Sequence, residues 1–428
     1  MLLLFALGQH PVWTRRLADG RLATYYYDDR VTWLVAFLAL AWLTWFLVRR
    51  HRLALALRRP ARRGRRDRAL GRAVRAQRDL SSRYLPQGFS ANIHAVGVGR
   101  LGGGYCVQVF VADAGAELWP GAGAAALPPA HLGVPVVLRE MAAAVFLSDA
   151  GPGLNEAWGE YAGGIRVRQE VIVGGISGAN VNLAGQSGTI GYFCTRRRRW
   201  PGRREVYLLS NTHVFADPQK EKADEGDLIV QPSPGEPSDN RPVGALADYS
   251  ALKFEGDAGG PNHVDAAIAK LWPAHQYAPV IPHIGAVRRY VEKKDVELGE
   301  AVCKFGRTTG PTKGRLYSTN LDIRISYART GRSALFHDQF LIEPATPTFT
   351  RFVAPGDSGS LLVDCETNAV GLIFAGAPEP AEPRPASTDS ADAASDSAAA
   401  DAPQRVEGYG VANPISEVLD RLKIDLVI

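Results

Sequence analysis

The chain has 428 residues, of which 46% are hydrophobic and 22% charged; that is enough for a packed core and two or three domains, and excludes a mainly disordered protein. The net charge of +5 is local, because Arg49 to Arg83 holds 14 Arg and two Asp and leaves −7 on the remainder, so a basic nucleic-acid-binding surface is not expected on the folded part. The four cysteines, Cys106, Cys194, Cys303 and Cys365, form no C-x-x-C pair and read as free thiols rather than a disulfide framework, with a Cys303–Cys365 bridge left open.

In chain order, residues 1–30 form a short N-terminal segment that lacks the basic start of a cleaved signal peptide. Residues 31–48 carry no charge and follow Tyr25, Tyr26 and Tyr27, which predicts a transmembrane helix with interfacial aromatics. The Arg-rich stretch 49–83 then predicts a juxtamembrane linker on the cytoplasmic side, so the sequence predicts a single-pass membrane protein with its folded part in the cytoplasm. Membrane lipid, met through residues 31–83, is an expected partner; nucleic acid is not, since no interleaved aromatics offer stacking surfaces.

Residues 84–150 read as a small β-rich module, with strands over Asn92–Val98, Tyr105–Ala112 and Val134–Glu140. Gly97-Val98-Gly99-Arg100-Leu101-Gly102 matches G-x-G-x-x-G, but an alternating strand follows where a dinucleotide site needs a helix, and a hairpin explains the glycines better. From residue 163 to 428 short strands with Gly and Pro punctuation predict an all-β domain. Arg196 to Arg204 forms a basic hairpin tip. Residues 377–405, rich in Ala, Pro, Ser and Asp, read as a disordered insertion, and Pro414 to Leu422 as a terminal helix.

Pro355-Gly356-Asp357-Ser358-Gly359-Ser360 sets a serine in a glycine-flanked turn. Such a turn can expose the Ser358 hydroxyl and aim the amides of Gly356 and Ser358 at one point, as an oxyanion hole requires; the hexapeptide alone fits an ordinary hairpin as well. A nucleophilic serine needs a base and a group to orient it. None of the nine histidines follows Ser358, which removes the Ser, acid, His order and leaves His, Asp, Ser. His213 ends the strand-like run Val206 to Thr212, and Asp265 opens the apolar run Ala266 to Ala269, where a carboxylate entering a core needs a donor such as an imidazole N–H.

Leu208-Leu209-Ser210-Asn211-Thr212-His213, Asp265-Ala266-Ala267-Ile268-Ala269 and Gly356-Asp357-Ser358-Gly359-Ser360 resemble the histidine, aspartate and serine motifs of the trypsin/chymotrypsin-like serine proteases, with Ser360 in place of the usual last glycine. Val302 to Gly310 is similar to the opening of the second barrel in bacterial members. The resemblance implies two packed antiparallel β-barrels with the site between them. It implies a serine endopeptidase in which His213 takes the Ser358 proton, Asp265 holds the imidazole, and the Gly356 and Ser358 amides stabilise the oxyanion; no cofactor or metal is called for. Phe352 stands where specificity is set, and Phe374-Ala375-Gly376 forms the opposite wall, which predicts a small or apolar residue before the scissile bond. Lys313 stands where members carry a partner for the cysteine at Cys303. Ile172-Val173-Gly174-Gly175 mimics an activating terminus but has no basic residue directly before it and reads as a plain strand. Two alternatives stand beside the protease: a catalytically silent trypsin-fold scaffold tethered to the membrane, and a protease anchored the opposite way round.

Overall fold

The computed structural model describes residues 10–16, 22–27, 60–123, 126–147, 164–183, 185–197, 205–218, 226–236, 238–327, 331–345, 350–377 and 405–428. The chain divides into two compact units, residues 1–70 and 71–428. The first holds an antiparallel hairpin of β1 (His10–Arg16) and β2 (Leu22–Tyr27). Helix α1 (Pro60–Tyr84) contributes its residues from Gly71 onward to the second unit.

One expectation is overturned. Among the described residues no helix is long and apolar enough to cross a membrane, so the single-pass localisation with a cytoplasmic folded part is corrected. Residues 31–48, where the span was expected, lie outside the described residues, as does most of the insertion over 377–405. Much of the Arg-rich stretch is helix rather than linker. Ala73, Ala76, Gln77, Leu80 and Ser81 are buried while Arg72, Arg75, Arg78 and Arg83 are exposed, a spacing that puts the arginines on the solvent side of an amphipathic helix. Ser81 Oγ donates to Asp322 Oδ2 at 2.5 Å, and Gln77 Nε2 donates to the Val96 carbonyl at 3.1 Å.

The fold is mostly β. The expected module contributes β3 (Ile93–Leu101), β4 (Gly104–Val111), β5 (Val134–Met141) and the short β6 (Ala144–Phe146). β3 and β4 pair antiparallel through the turn at Gly102 and Gly103, both at positive φ, as the hairpin reading of the glycines predicts. Then follow β7 (Ala179–Asn180), β8 (Tyr192–Arg196), β9 (Tyr207–Ser210), the single turn α2 (Thr212–Phe215), β10 (Leu228–Gln231), β11 (Arg241–Tyr249) and β12 (Ala267–Leu271). The last stretch holds β13 (Ala301–Gly306), β14 (Gly310–Tyr327), β15 (Arg332–Pro344), β16 (Leu361–Asp364), β17 (Ala369–Gly376), β18 (Arg405–Val406), β19 (Gly410–Pro414), α3 (Ile415–Leu422) and β20 (Ile424–Leu426).

A seven-stranded sheet runs β7-β10-β11-β12-β9-β8-β20. A twelve-stranded sheet runs β13-β16-β17-β19-β15-β14-β3-β4-β5-β18, with β6 and the two-residue strand Ala130–His131 off that path. Because β13 also pairs with β14, the strands β13, β16, β17, β19, β15 and β14 close a circuit of antiparallel pairs. β14 carries the junction with the earlier strands: Thr319, Asp322 and Ile323 face Val98, Val96 and Ala95 of β3, and Ile325 and Ser326 face Ala144 and Val145 of β6. Gly97 makes this approach possible, since a Cβ there would lie 2.3 Å from Ser318 Oγ. So residues expected to form a separate module are hydrogen-bonded into the sheet that carries Ser358. One buried apolar cluster gathers Phe193, Leu208, Leu209, Phe215 and Ile268 with Val418 and Leu419 of α3; another gathers Phe110, Phe146, Tyr327, Phe336 and Phe374. All four cysteines are free thiols.

His94 on β3 is 4% exposed. Burial pushes its pKa down to about 4, helped by the Arg324 charge and opposed by the Asn92 and Met141 backbone. The unfolded chain takes up this proton near pH 6.5, the folded chain only near 4, so its contribution is whole above pH 6.5 and drains away on acidification. Chemical denaturation between pH 7 and 4 should register a loss of about 3 kcal/mol from this group, and His94→Leu should flatten that part of the profile.

Candidate active site

β9 delivers its last residue to a small polar pair, Ser210 and Asn211, and the backbone folds into α2, which carries His213. Asp265 stands two residues before β12, the neighbour of β9 in the sheet. Its carboxylate meets the turn from below: Oδ1 accepts the Thr212 amide at 2.7 Å and the His213 amide at 3.4 Å, and Oδ2 faces His213 Nδ1 at 2.5 Å. A carboxylate at this distance suits a proton carried on Nδ1, the tautomer in which Nε2 is the accepting nitrogen. Ser358 Oγ lies 2.8 Å from that Nε2 and 3.0 Å from the Phe374 carbonyl. The three residues predicted from separate motifs thus meet in one hydrogen-bonded chain, and all three are fully buried.

The turn that carries Ser358 depends on its glycines. Gly356 and Gly359 both have φ of +95°, where side chains are strained. A Cβ would lie 2.4 Å from Thr308 Oγ1 at Gly356, and 2.1 Å from the Thr189 carbonyl at Gly359. Thr189, which pairs with Ser177 in a separate two-stranded ladder, clasps the turn, its amide donating to the Ser358 carbonyl at 2.8 Å and its hydroxyl to the Gly356 carbonyl at 2.9 Å. Ser360 Oγ donates to the Asp357 carbonyl at 2.5 Å.

Beneath the turn lies a buried ion pair. Lys304 Nζ reaches Asp357 Oδ2 at 2.7 Å with both side chains fully inaccessible, and it also donates to Thr309 Oγ1. The Asp357 carboxylate collects four further donors: the amides of Thr308, Thr309 and Ala354 at 2.9, 3.1 and 3.1 Å, and the Thr309 hydroxyl at 2.7 Å. Burial works to raise the Asp357 pKa, but the Lys304 ammonium and these donors outweigh it and hold the carboxyl below the usual range. Arg307, also buried, pairs with Glu236 at 2.5 Å, which in turn holds Arg166 at 2.7 Å.

The residues expected to line a pocket face other parts of the chain. Ala375 and Gly376 of β17 pair antiparallel with Phe146 and Val145 of β6. The Phe146 ring lies 5.0 Å from the His213 ring and 6.3 Å from Phe374, centroid to centroid. Leu147 is fully buried in the apolar cluster that contains Phe352, Val353 and Ile373. The Gly356 amide, the first predicted oxyanion donor, gives its hydrogen bond to the Leu147 carbonyl at 2.6 Å.

Three contributors escaped sequence reasoning. Asn413 accepts the Asp265 amide at 3.0 Å and donates to Gln339 Oε1 at 2.6 Å; nothing local in β19 marks it. Lys304 carried a signal, since a lysine amid Val302, Cys303 and Phe305 must find a partner if it points inward. Ala144 to Leu147 is a short apolar run with no chemical mark of its own.

No family model matches the sequence, and no curated protein matches it. Among solved structures the chain is similar to Thermobifida fusca protease A, at 16% identity over 60% of this chain and 98% of that one, with a TM-score of 0.35. It is similar to Nocardiopsis protease at 16% identity, over 60% and 99%, with a TM-score of 0.35, and to Cellulomonas bogoriensis chymotrypsin at 15% identity, over 60% and 98%, with a TM-score of 0.34. These are chymotrypsin-like serine proteases.

Removing one partner of the buried pair strands the other. Lys304→Met should lower the unfolding free energy by about 3–5 kcal/mol, and the double variant Lys304→Met/Asp357→Leu should recover a large part of it, both read by urea denaturation.

Proposed function

We propose that this chain is a serine endopeptidase of the trypsin-like, two-barrel type, with protein or peptide as substrate. The observation that carries the proposal is the unbroken chain from Asp265 through His213 to Ser358, at 2.5 and 2.8 Å. In this reading His213 Nε2 takes the Ser358 proton as Oγ adds to a peptide carbonyl, and the imidazolium that forms is stabilised by Asp265. The Gly356 amide, with that of Ser358, meets the negative charge that develops on the carbonyl oxygen; one such donor is worth about 3 kcal/mol of barrier. Departure of the amine takes the proton back from His213, and water completes the cycle. Glycine at 356 lets the backbone take the positive φ that the turn needs, and the Lys304–Asp357 pair holds the turn without reorganisation during the reaction.

A second reading has an observation of its own. Ser358, His213 and Asp265 are all fully buried and β6 lies along β17, as a silent scaffold on a protease fold would also have them.

A fluorophosphonate probe separates the two. The wild type should be labelled at Ser358, while Ser358→Ala should take up no probe yet unfold at the same temperature. His213→Ala should reduce labelling by several orders of magnitude, because the hydroxyl loses its base. Absence of labelling in the wild type, with the fold intact, would favour the scaffold.

A further inference from the structure

Resting on the hydrolase reading above, we propose that Ala144 to Leu147 is an internal substrate of this site and that Ser358 cuts its own chain after Leu147. Four independent contacts put this segment in the position of the acyl half of a bound peptide. Val145 and Phe146 run antiparallel to Gly376 and Ala375, so the next residue, Leu147, comes level with Phe374, whose carbonyl contacts Ser358 Oγ. The Leu147 carbonyl oxygen, not merely its side chain, is seated on the Gly356 amide at 2.6 Å. The Leu147 side chain is buried among Phe352, Val353, Val370 and Ile373. The Phe146 ring lies against that of His213, 5.0 Å between centroids.

A strand that served only to fill space would need the pairing with β17 and β14 but no carbonyl in the oxyanion donor. The coincidence of the two is what an attackable bond requires: a carbonyl polarised by the Gly356 amide, two residues before the serine in sequence, on a strand held by its own pairing. The tethering also makes the reaction intramolecular, since β6 is hydrogen-bonded to β14 and β17 of the same chain.

Ser358 Oγ adds to the Leu147 carbonyl carbon and gives its proton to His213 Nε2. The carbon–nitrogen bond to residue 148 breaks with its electron pair on nitrogen, which takes the proton from His213 and leaves as an amine. Water then adds to the Leu147 ester, its proton passing through His213 to Ser358 Oγ, and a carboxylate ends the first fragment. One water is consumed and one peptide bond is replaced by a carboxylate and an amine. The same contacts name the substrate class in trans: a peptide with leucine at the residue whose carbonyl is attacked, and an aromatic residue just before it that packs on His213.

The test uses the full chain, purified as wild type, as Ser358→Ala and as Leu147→Ala, followed by intact mass, N-terminal sequencing and fluorophosphonate labelling. The expected result is a wild type cut into residues 1–147 and 148–428, the second fragment beginning Ser148-Asp149-Ala150, at a rate independent of protein concentration. Ser358→Ala should stay intact, and Leu147→Ala should be cut about 1,000-fold more slowly, since it loses three carbons from an apolar pocket and each costs 10-fold or more. A wild type that labels at Ser358 but stays intact, or is cut elsewhere, overturns self-cleavage and leaves the hydrolase reading standing. Cutting of Ser358→Ala at the same bond also overturns it, because a foreign protease is then responsible. A wild type neither labelled nor cut removes the hydrolase reading and this inference with it.

Discussion

The contact on which the site depends is the fully buried pair of Lys304 and Asp357. Two charges withdrawn from water are held only if their remaining hydrogen-bonding capacity is met, and here the Asp357 carboxylate meets it with the amides of Thr308, Thr309 and Ala354 and the hydroxyl of Thr309. Each of these donors belongs to a segment that borders the Ser358 turn. A carboxylate that must satisfy all of them can lie in one place only, and Asp357 sits between Gly356 and Ser358 in sequence. The packing of that charge therefore fixes the backbone between the Gly356 amide and the Ser358 hydroxyl, in addition to the contacts those two groups make themselves. Thr189 adds the second constraint from the opposite side by gripping both flanking carbonyls.

Much of this could be read from residues, and what could not has a physical cause. His213, Asp265 and Ser358 were found because each lies in a short local pattern that changes from apolar strand to small polar turn, and the turn glycines 356 and 359 are demanded by positive φ and close backbone approach. The strands over β3, β4 and β5 were legible from their alternation. Helix α1 was not: its arginines dominate the composition, and the buried stripe of Ala73, Ala76, Gln77, Leu80 and Ser81 uses small and polar residues that give little hydrophobic signal. The same run of charge led to a membrane topology that no described helix supports.

Asn413 and Leu147 mark the limit of local reading. Asn413 acts on Asp265 from 148 residues away, and its amide supports the carboxylate-bearing backbone only because β19 passes behind it. The segment ending at Leu147 has no motif. Its place is set by β14 and β17, strands that lie more than 160 residues further along the chain, and pairing over such distances leaves no trace in a short window of sequence. Phe352, Phe374, Ala375 and Gly376, expected to line a pocket, illustrate the same point: nothing in them reveals that β6 pairs with Ala375 and Gly376.

β14 uses one flank for β15 and divides the other among β13, β3 and β6. A fragment beginning after residue 147 and made by itself would leave the Thr319–Ile323 stretch of that flank with bare amides and carbonyls. Such an open strand margin invites pairing with another molecule. The segment before residue 147 therefore acts as a built-in cover against aggregation, and it should do so equally well whether it remains covalently attached or is retained only by its hydrogen bonds.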